Sequence, residues 1–259
     1  MSTVITVAGL RGGAGKSEVA AILAAAAVKA GRRVVAIDAH EAEGPMPMLL
    51  GLAPSDTHER LRSWAGAVVD GPLANAGVAA SMLAPTAVGV DLVRGEATLR
   101  YSLPDPVLMQ RIAETLAAIY DVVVIDSGPL PTPAALGAAR ASGALIFVTD
   151  PTLAGFYQTR HLSEALTAQG IRPRGVLVNC AHGEPLPEPA DLPDMAETAY
   201  LGAIPWDRAL LGDQRPRQSD GPFARAVRTA LDPLLPGIAP PQPRPWWSHK
   251  GGRTNVLGA

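Results

Sequence analysis

Residues 4 to 20 read VITVAGLRGGAGKSEVA, and no other stretch restricts the fold of this chain as tightly. An apolar, β-branched run ends at Gly9, glycines crowd the next positions, and Lys16-Ser17 open an alanine-rich segment of helical character. In that order, main-chain amides free of Cβ obstruction wrap phosphate oxygens, a lysine reaches the outer phosphates, and a hydroxyl at a helix N-terminus faces Mg2+. The spacing fits G-x-x-x-x-G-K-[ST], with Gly15 as the second glycine, Leu10 in the first position and Gly9 one residue before it. The alternative is an ordinary glycine turn between strand and helix. Lysine occurs only at positions 16, 29 and 250, however, so a lysine at the helix entrance asks for a chemical reason.

The rest of the chain repeats the alternation of strand and helix. Short runs rich in Val and Ile, at Val4–Ala8, Arg33–Ile37, Val90–Val93, Asp121–Ile125, Ala144–Thr149, Gly175–Val178 and Tyr200–Ile204, are expected strands. Between them, helices are expected at Ser17–Ala30 with Gly31 as its C′ residue, Asp105–Ile119, Thr132–Ala141, Leu153–Gln169 and Pro222–Leu231, the last capped by Asp220. Apolar strands alternating with helices predict an α/β fold: a doubly wound, mostly parallel sheet with helices on both faces, as in P-loop NTPases. With 259 residues and 47% hydrophobic composition, one substantial core is expected, in a domain spanning residues 1–232. Residues 182 to 198, acidic and proline-rich, read as an exposed loop. Residues 233–259, proline-rich and without acids, read as a flexible tail.

Composition narrows the setting. One cysteine, Cys180, excludes an intramolecular disulfide and any four-cysteine cluster built by this chain alone, and fits a reducing cytoplasm. The N-terminus is read as lacking a signal peptide. The apolar run Val19–Val28 is about half of the ~20 residues a bilayer span needs. A net charge of −2 puts any nucleic-acid or lipid contact on a local patch rather than on the whole surface.

A further motif lies in YDVVVIDSGP, where four apolar residues lead to Asp126 at the carboxyl end of an expected strand. This is the Walker B arrangement, a carboxylate facing the Mg2+ site. With R-G-G-A-G-K-S at residues 11–17, the chain resembles the ParA/MinD family of deviant P-loop ATPases, whose loop reads K-G-G-x-G-K-[ST].

The resemblance covers residues 2 to about 232 and implies ATP or ADP with Mg2+ as cofactors. It implies a nucleotide-binding set of Gly12, Gly13, Ala14, Gly15, Lys16, Ser17 and Glu18. Asn179, closing GVLVNCA, would hydrogen-bond the adenine edge, and Pro205 and Asp207, in LGAIPWD, would lie near the base. Metal organisation would fall to Ser17, Asp38 and Asp126, and catalysis to Lys16, Asp38, His40 and Arg11. Two residues depart from the family pattern. Arg11 replaces the lysine that reaches the partner's phosphates in a sandwich dimer, and its planar fork is not equivalent to an ammonium. His40 stands where the family has a second Asp that activates water; a neutral imidazole accepts a proton but lacks fixed negative charge, so weak turnover or recruitment of Glu41 or Glu43 is expected.

Function follows as an ATP-binding and hydrolysing switch that dimerises around ATP and positions DNA or another cargo. A poorly hydrolysing scaffold of the same fold, associated with a membrane or partner, is the alternative. The single cysteine and a tail without tyrosine set aside the iron–sulfur carriers and tyrosine kinases of this lineage. Non-specific DNA contact is expected through Arg208, Arg215, Arg217, Arg225 and Arg228, against a solvated helix face as the plain reading. Trp246 and Trp247 are candidates for an adaptor or a membrane surface. The expected location is cytoplasmic, at the nucleoid or peripherally at the membrane.

Overall fold

The computed structural model describes residues 2–40, 44–52, 83–95, 106–181, 198–208 and 220–240. Its strands are β1 (Thr3–Gly9), β2 (Val34–Asp38), β3 (Leu83–Pro85), β4 (Asp91–Val93), β5 (Val122–Pro129), β6 (Ala144–Thr149), β7 (Pro173–Asn179) and β8 (Tyr200–Ile204). The helices are α1 (Lys16–Lys29), α2 (Met46–Leu49), α3 (Pro106–Ala117), α4 (Pro133–Ala141), α5 (Leu153–Thr167) and α6 (Pro222–Leu231). The strands form one eight-stranded sheet in the order β3-β4-β2-β5-β1-β6-β7-β8. All neighbours are parallel except β3 and β4, so the expected doubly wound α/β architecture is present.

Strand periodicity divides the core into two layers. Ile5, Val7, Val34, Ala36, Val122, Val124, Ile146 and Val148 face α1 and α6, while Val35, Ile37, Val123 and Ile125 face α3 and α4. Leu145, Phe147 and Val176 join Ala135, Leu162 and Leu166 in a third cluster beneath α4 and α5. Every residue of α1 from Val19 to Ala27 is buried, which explains why its alanine-rich sequence lacks an amphipathic stripe. The helix ends in a Schellman arrangement: Gly31, at φ +80°, donates to the Val28 carbonyl (2.9 Å) and Arg32 to the Ala27 carbonyl (3.1 Å).

Four expectations change. The short α2 and the antiparallel β3 were not anticipated. The β3–β4 hairpin is closed by hydrogen bonds between Thr86 and Val90 and by Gly89 at φ +78°. Asp220 is not the cap of α6: its carboxylate accepts from Arg228 Nη2 at 2.8 Å, and Gly221 occupies the N-cap without a capping side chain. Asp207, 16 residues upstream of Phe223, accepts from Phe223 N (3.4 Å) in its place. Packing also continues past residue 232. Leu235 and Ile238 join the α1–α6 core layer, and Asp232 Oδ1 accepts from Gly237 N and Ala239 N at 3.0 and 2.9 Å. The expected acidic loop, apart from its last residue, and the tail beyond residue 240 lie outside the described residues.

Candidate functional site

A doubly wound sheet opens a crevice where successive crossovers leave in opposite directions, and here that point is the carboxyl end of β1, between β5 and β6. Gly9 ends β1 so close to the Val148 carbonyl that a Cβ would stand 2.5 Å from it. The loop then turns through Gly13 (φ +78°) and Gly15 (φ +89°), conformations that L side chains rarely adopt. It hands Lys16 and Ser17 to the N-terminus of α1, where unpaired amides and the helix dipole favour an anion.

Lys16 is almost completely buried, and its ammonium donates to the Arg11 carbonyl at 2.6 Å. Burial lowers its proton affinity, while the charges of Asp126 and Glu18 pull the other way. A desolvated ammonium held over a glycine loop is poised to exchange that carbonyl for phosphate oxygens.

The carboxyl ends of β2 and β5 supply the acidic side of the crevice. Asp38 and Asp126 are register partners, so both side chains leave the sheet on one face, and both are fully buried. His40 Nδ1 shares a 2.7 Å hydrogen bond with Asp38 Oδ1 and lies 3.8 Å from Asp126 Oδ2. Burial alone would lower the proton affinity of the imidazole, but the Asp38 hydrogen bond and the charges of Asp126 and Asp38 outweigh it and raise it. Burial, assisted by the charge of Asp38, pushes Asp126 up to about 6 against the attraction of His40, Ser17 and Lys16. Among the described residues both oxygens of Asp126 lack a hydrogen bond of ordinary geometry, although the Ser17 hydroxyl faces them. A buried, under-satisfied carboxylate beside a hydroxyl fits a hard divalent cation such as Mg2+, so the expected metal set Ser17, Asp38 and Asp126 is brought together. Glu41 and Glu43 lie outside the described residues.

On the other side of the loop, a cleft of about 160 Å³ is lined by Gly13, Gly15, Glu18, Asn179, Ala181, Trp206, Asp207 and Phe223. Asn179, ending β7, donates from Nδ2 to the Ala14 carbonyl at 3.0 Å, while its buried Oδ1 has no partner among the described residues. That free acceptor points to a ligand N–H, as an exocyclic amine of a purine would supply. Asp207 borders the cleft but is already spent on capping α6. Pro205 is not among the lining residues; Trp206, 44% exposed, and Phe223 are, and sequence reasoning passed over both. The exposed tryptophan between Pro205 and Asp207 was the one signal available.

Arg11 has its partner within the same chain. Its Nη1 pairs with Asp150 just after β6 and reaches Thr152 Oγ1 at 3.3 Å, beside the start of α5. Of the expected DNA-contacting arginines, Arg208 and Arg225 are exposed, whereas Arg228 is largely buried and ion-paired with Asp220, and Arg215 and Arg217 lie outside the described residues. Trp246 and Trp247 do as well. Among the described residues no helix is long and apolar enough to cross a membrane.

Comparison with known proteins agrees with this geometry. MinD, the septum site-determining protein from Pyrococcus horikoshii OT3 in complex with Mg-ADP, matches with a TM-score of 0.74 at 20% identity, covering 91% of this chain and 97% of that one. A ParA family ATPase from Chlorobium tepidum TLS matches at 0.70 and 16% identity, over 92% and 93%. The human cytosolic Fe-S cluster assembly factor NUBP2 is 25% identical over 233 residues, 80% of each chain. Residues 5–213 match the model of the CobQ/CobB/MinD/ParA nucleotide binding domain, and the chain therefore belongs to that family of nucleotide-binding proteins, whose members include the MinD and ParA ATPases.

Proposed function

We propose that the chain is an ATP-dependent switch: it binds ATP in the crevice, dimerises around it, presents a surface to DNA or another cargo, and reverts on slow hydrolysis. The observation that carries this reading is the meeting of a buried ammonium, Lys16, and a fully buried carboxylate, Asp126, at the mouth of a positive-φ glycine loop. Structural use alone does not account for burying both groups there.

In this reading the amides of residues 12–17 hold the phosphates, Lys16 neutralises charge on the outer ones, and Asn179 Oδ1 accepts from the adenine. Mg2+, held by Ser17, Asp38 and Asp126, supplies electrostatic stabilisation of the phosphoryl group as it passes to water. His40, oriented through Nδ1 by Asp38, has only Nε2 free to accept a proton from that water. Of the five arginines expected to contact DNA, Arg208 and Arg225 are exposed and Arg228 is held by Asp220, so contact falls to Arg208 and Arg225 with Arg215 and Arg217, and Trp246 and Trp247 remain candidates for an adaptor or membrane surface. We place the protein in the cytoplasm, at one of those two surfaces.

Phosphate release by the purified chain against a Lys16→Ala control tests the enzyme reading, and size-exclusion chromatography in ATP and in ADP tests the dimer. Equal release by both proteins would remove the ATPase. A scaffold that binds ATP and hardly hydrolyses it is favoured by one feature, the engagement of Arg11 by Asp150 and of His40 by Asp38 within a single chain. Stoichiometric ATP binding with no release above the control would select it.

A further inference from the structure

Glu18 stands in the first turn of α1, just past the lysine of the loop, and phosphate chemistry has no use for it. A helix N-terminus that receives phosphate works through amide donors and positive potential, and a carboxylate in the same turn opposes it. The helix dipole favours an acid anywhere in that turn, so it gives no reason for one that faces the nucleotide cleft. Glu18 does face it: half-buried, it lines the cleft together with Gly13, Gly15, Asn179, Trp206 and Asp207. Nor does it cap the helix. Gly15 holds the N-cap position without a side-chain hydrogen bond, and among the described residues Glu18 has no hydrogen-bond or ion-pair partner, its action on Lys16 being that of charge through space.

The other side-chain acceptors of the cleft are accounted for. Asp207 is occupied by the amide of Phe223. Asn179 Oδ1, on a side chain 4% exposed and without a partner among the described residues, suits a base N–H. That leaves the two oxygens of Glu18. A nucleotide with its phosphates on the glycine loop and its base against Asn179 carries its sugar through the cleft between them, and the donors a sugar offers there are its vicinal hydroxyls. A carboxylate can accept from both, one oxygen to each, and it repels a phosphate ester in their place.

We infer that Glu18 reads the sugar: its carboxylate accepts from the 2′- and 3′-hydroxyls of ribose, so that this chain selects ribonucleotides over deoxyribonucleotides and over nucleotides phosphorylated on the sugar. The inference rests on the crevice being the nucleotide site, and it adds the residue that sets sugar specificity there.

Titration calorimetry in MgCl2 on the full chain, with ADP, 2′-deoxy-ADP and 3′-deoxy-ADP, tests it for wild type, Glu18→Gln and Glu18→Ala. Wild type is expected to bind ADP at least about tenfold more tightly than either deoxy analogue, the effect of losing a hydrogen bond to a charged group. Glu18→Ala is expected to bring the three ligands within about twofold of one another by weakening ADP more than the analogues, with Glu18→Gln, which keeps one acceptor oxygen without the charge, in between. An acid that served only the helix or the field at the phosphates would shift all three ligands by one common factor. That common shift, a preference for ADP that survives in both variants, or equal binding of the three ligands by wild type overturns the inference and leaves the nucleotide reading in place. Binding of none of them by wild type sinks both. Should the alanine variant fail to fold, the wild-type ratio and the glutamine variant decide the matter.

Discussion

Replacing Asp126 by Asn should stabilise the protein at neutral pH while destroying its chemistry. The carboxylate lies within β5, just after its apolar run, fully buried, and burial moves it from 3.8 to about 6. The folded state therefore binds the proton more tightly than the unfolded state, and stability contributed by this group is greatest below pH 3.8. It falls as pH rises through about 6 and is flat above that. The gap between 3.8 and about 6 corresponds to about 3 kcal/mol, and the attractions of His40, Ser17 and Lys16 are already contained in it. Asn keeps the shape without the charge. Urea denaturation in EDTA, without nucleotide, at pH 4 and pH 7.5 should show the two proteins nearly equal at the lower pH and the variant ahead by about 1–3 kcal/mol at the higher. Adding Mg2+ and ADP should then raise the midpoint of the wild type and not of the variant. A variant less stable than wild type by the same amount at both pH values would refute the reasoning, because it would mean that the carboxylate is satisfied rather than strained by its burial.

Gly15→Ala should cost about 1–2 kcal/mol from its φ of +89° and more from the 2.3 Å approach of a Cβ to Asn179 Nδ2, read as a lower melting temperature together with lost ATP binding in calorimetry. Asp207→Ala removes the carboxylate that accepts from the amide of Phe223, and a loss of about 1 kcal/mol, about 2–4 °C in Tm, is expected without loss of the fold by circular dichroism. Arg11→Ala and Asp150→Ala break an ion pair whose arginine is 45% exposed, so each should change unfolding free energy by less than about 1 kcal/mol. A much larger effect of Arg11→Ala than of Asp150→Ala on phosphate release would reveal a role for Arg11 beyond this pair. Nucleotide titration should alter tryptophan fluorescence through Trp206 at the cleft, and a response unchanged in Trp206→Phe would place the base elsewhere.

Some of the site could be read in one dimension because its chemistry is local. Gly13, Gly15, Lys16 and Ser17 sit within five positions, and a loop entering a helix needs that spacing whatever surrounds it. The Schellman end of α1 at Gly31 and the carboxyl-end position of Asp126 were legible for the same reason: a turn or a strand end leaves its mark in adjacent residues. The β3 strand left none, since three residues carry too little periodicity and its pairing with β4 is antiparallel at a sheet edge. The cap of α6 misled more instructively. Asp220 had the better position along the chain, but Arg228 claimed its carboxylate, and the amide of Phe223 was met by Asp207, just beyond the end of β8.

The order of residues was thus enough for the phosphate loop, the strand and helix alternation and the parallel class of sheet, because hydrogen bonding and burial over a few residues dictate them. Folding alone decided that Arg11 answers to Asp150, 139 residues away, that Asp38 and Asp126 face each other across β2 and β5, and that His40 closes on both. Those pairings depend on which strands become neighbours, and strand order is set by the packing of whole helices on both faces of the sheet, a global free-energy minimum that no short stretch of chain records.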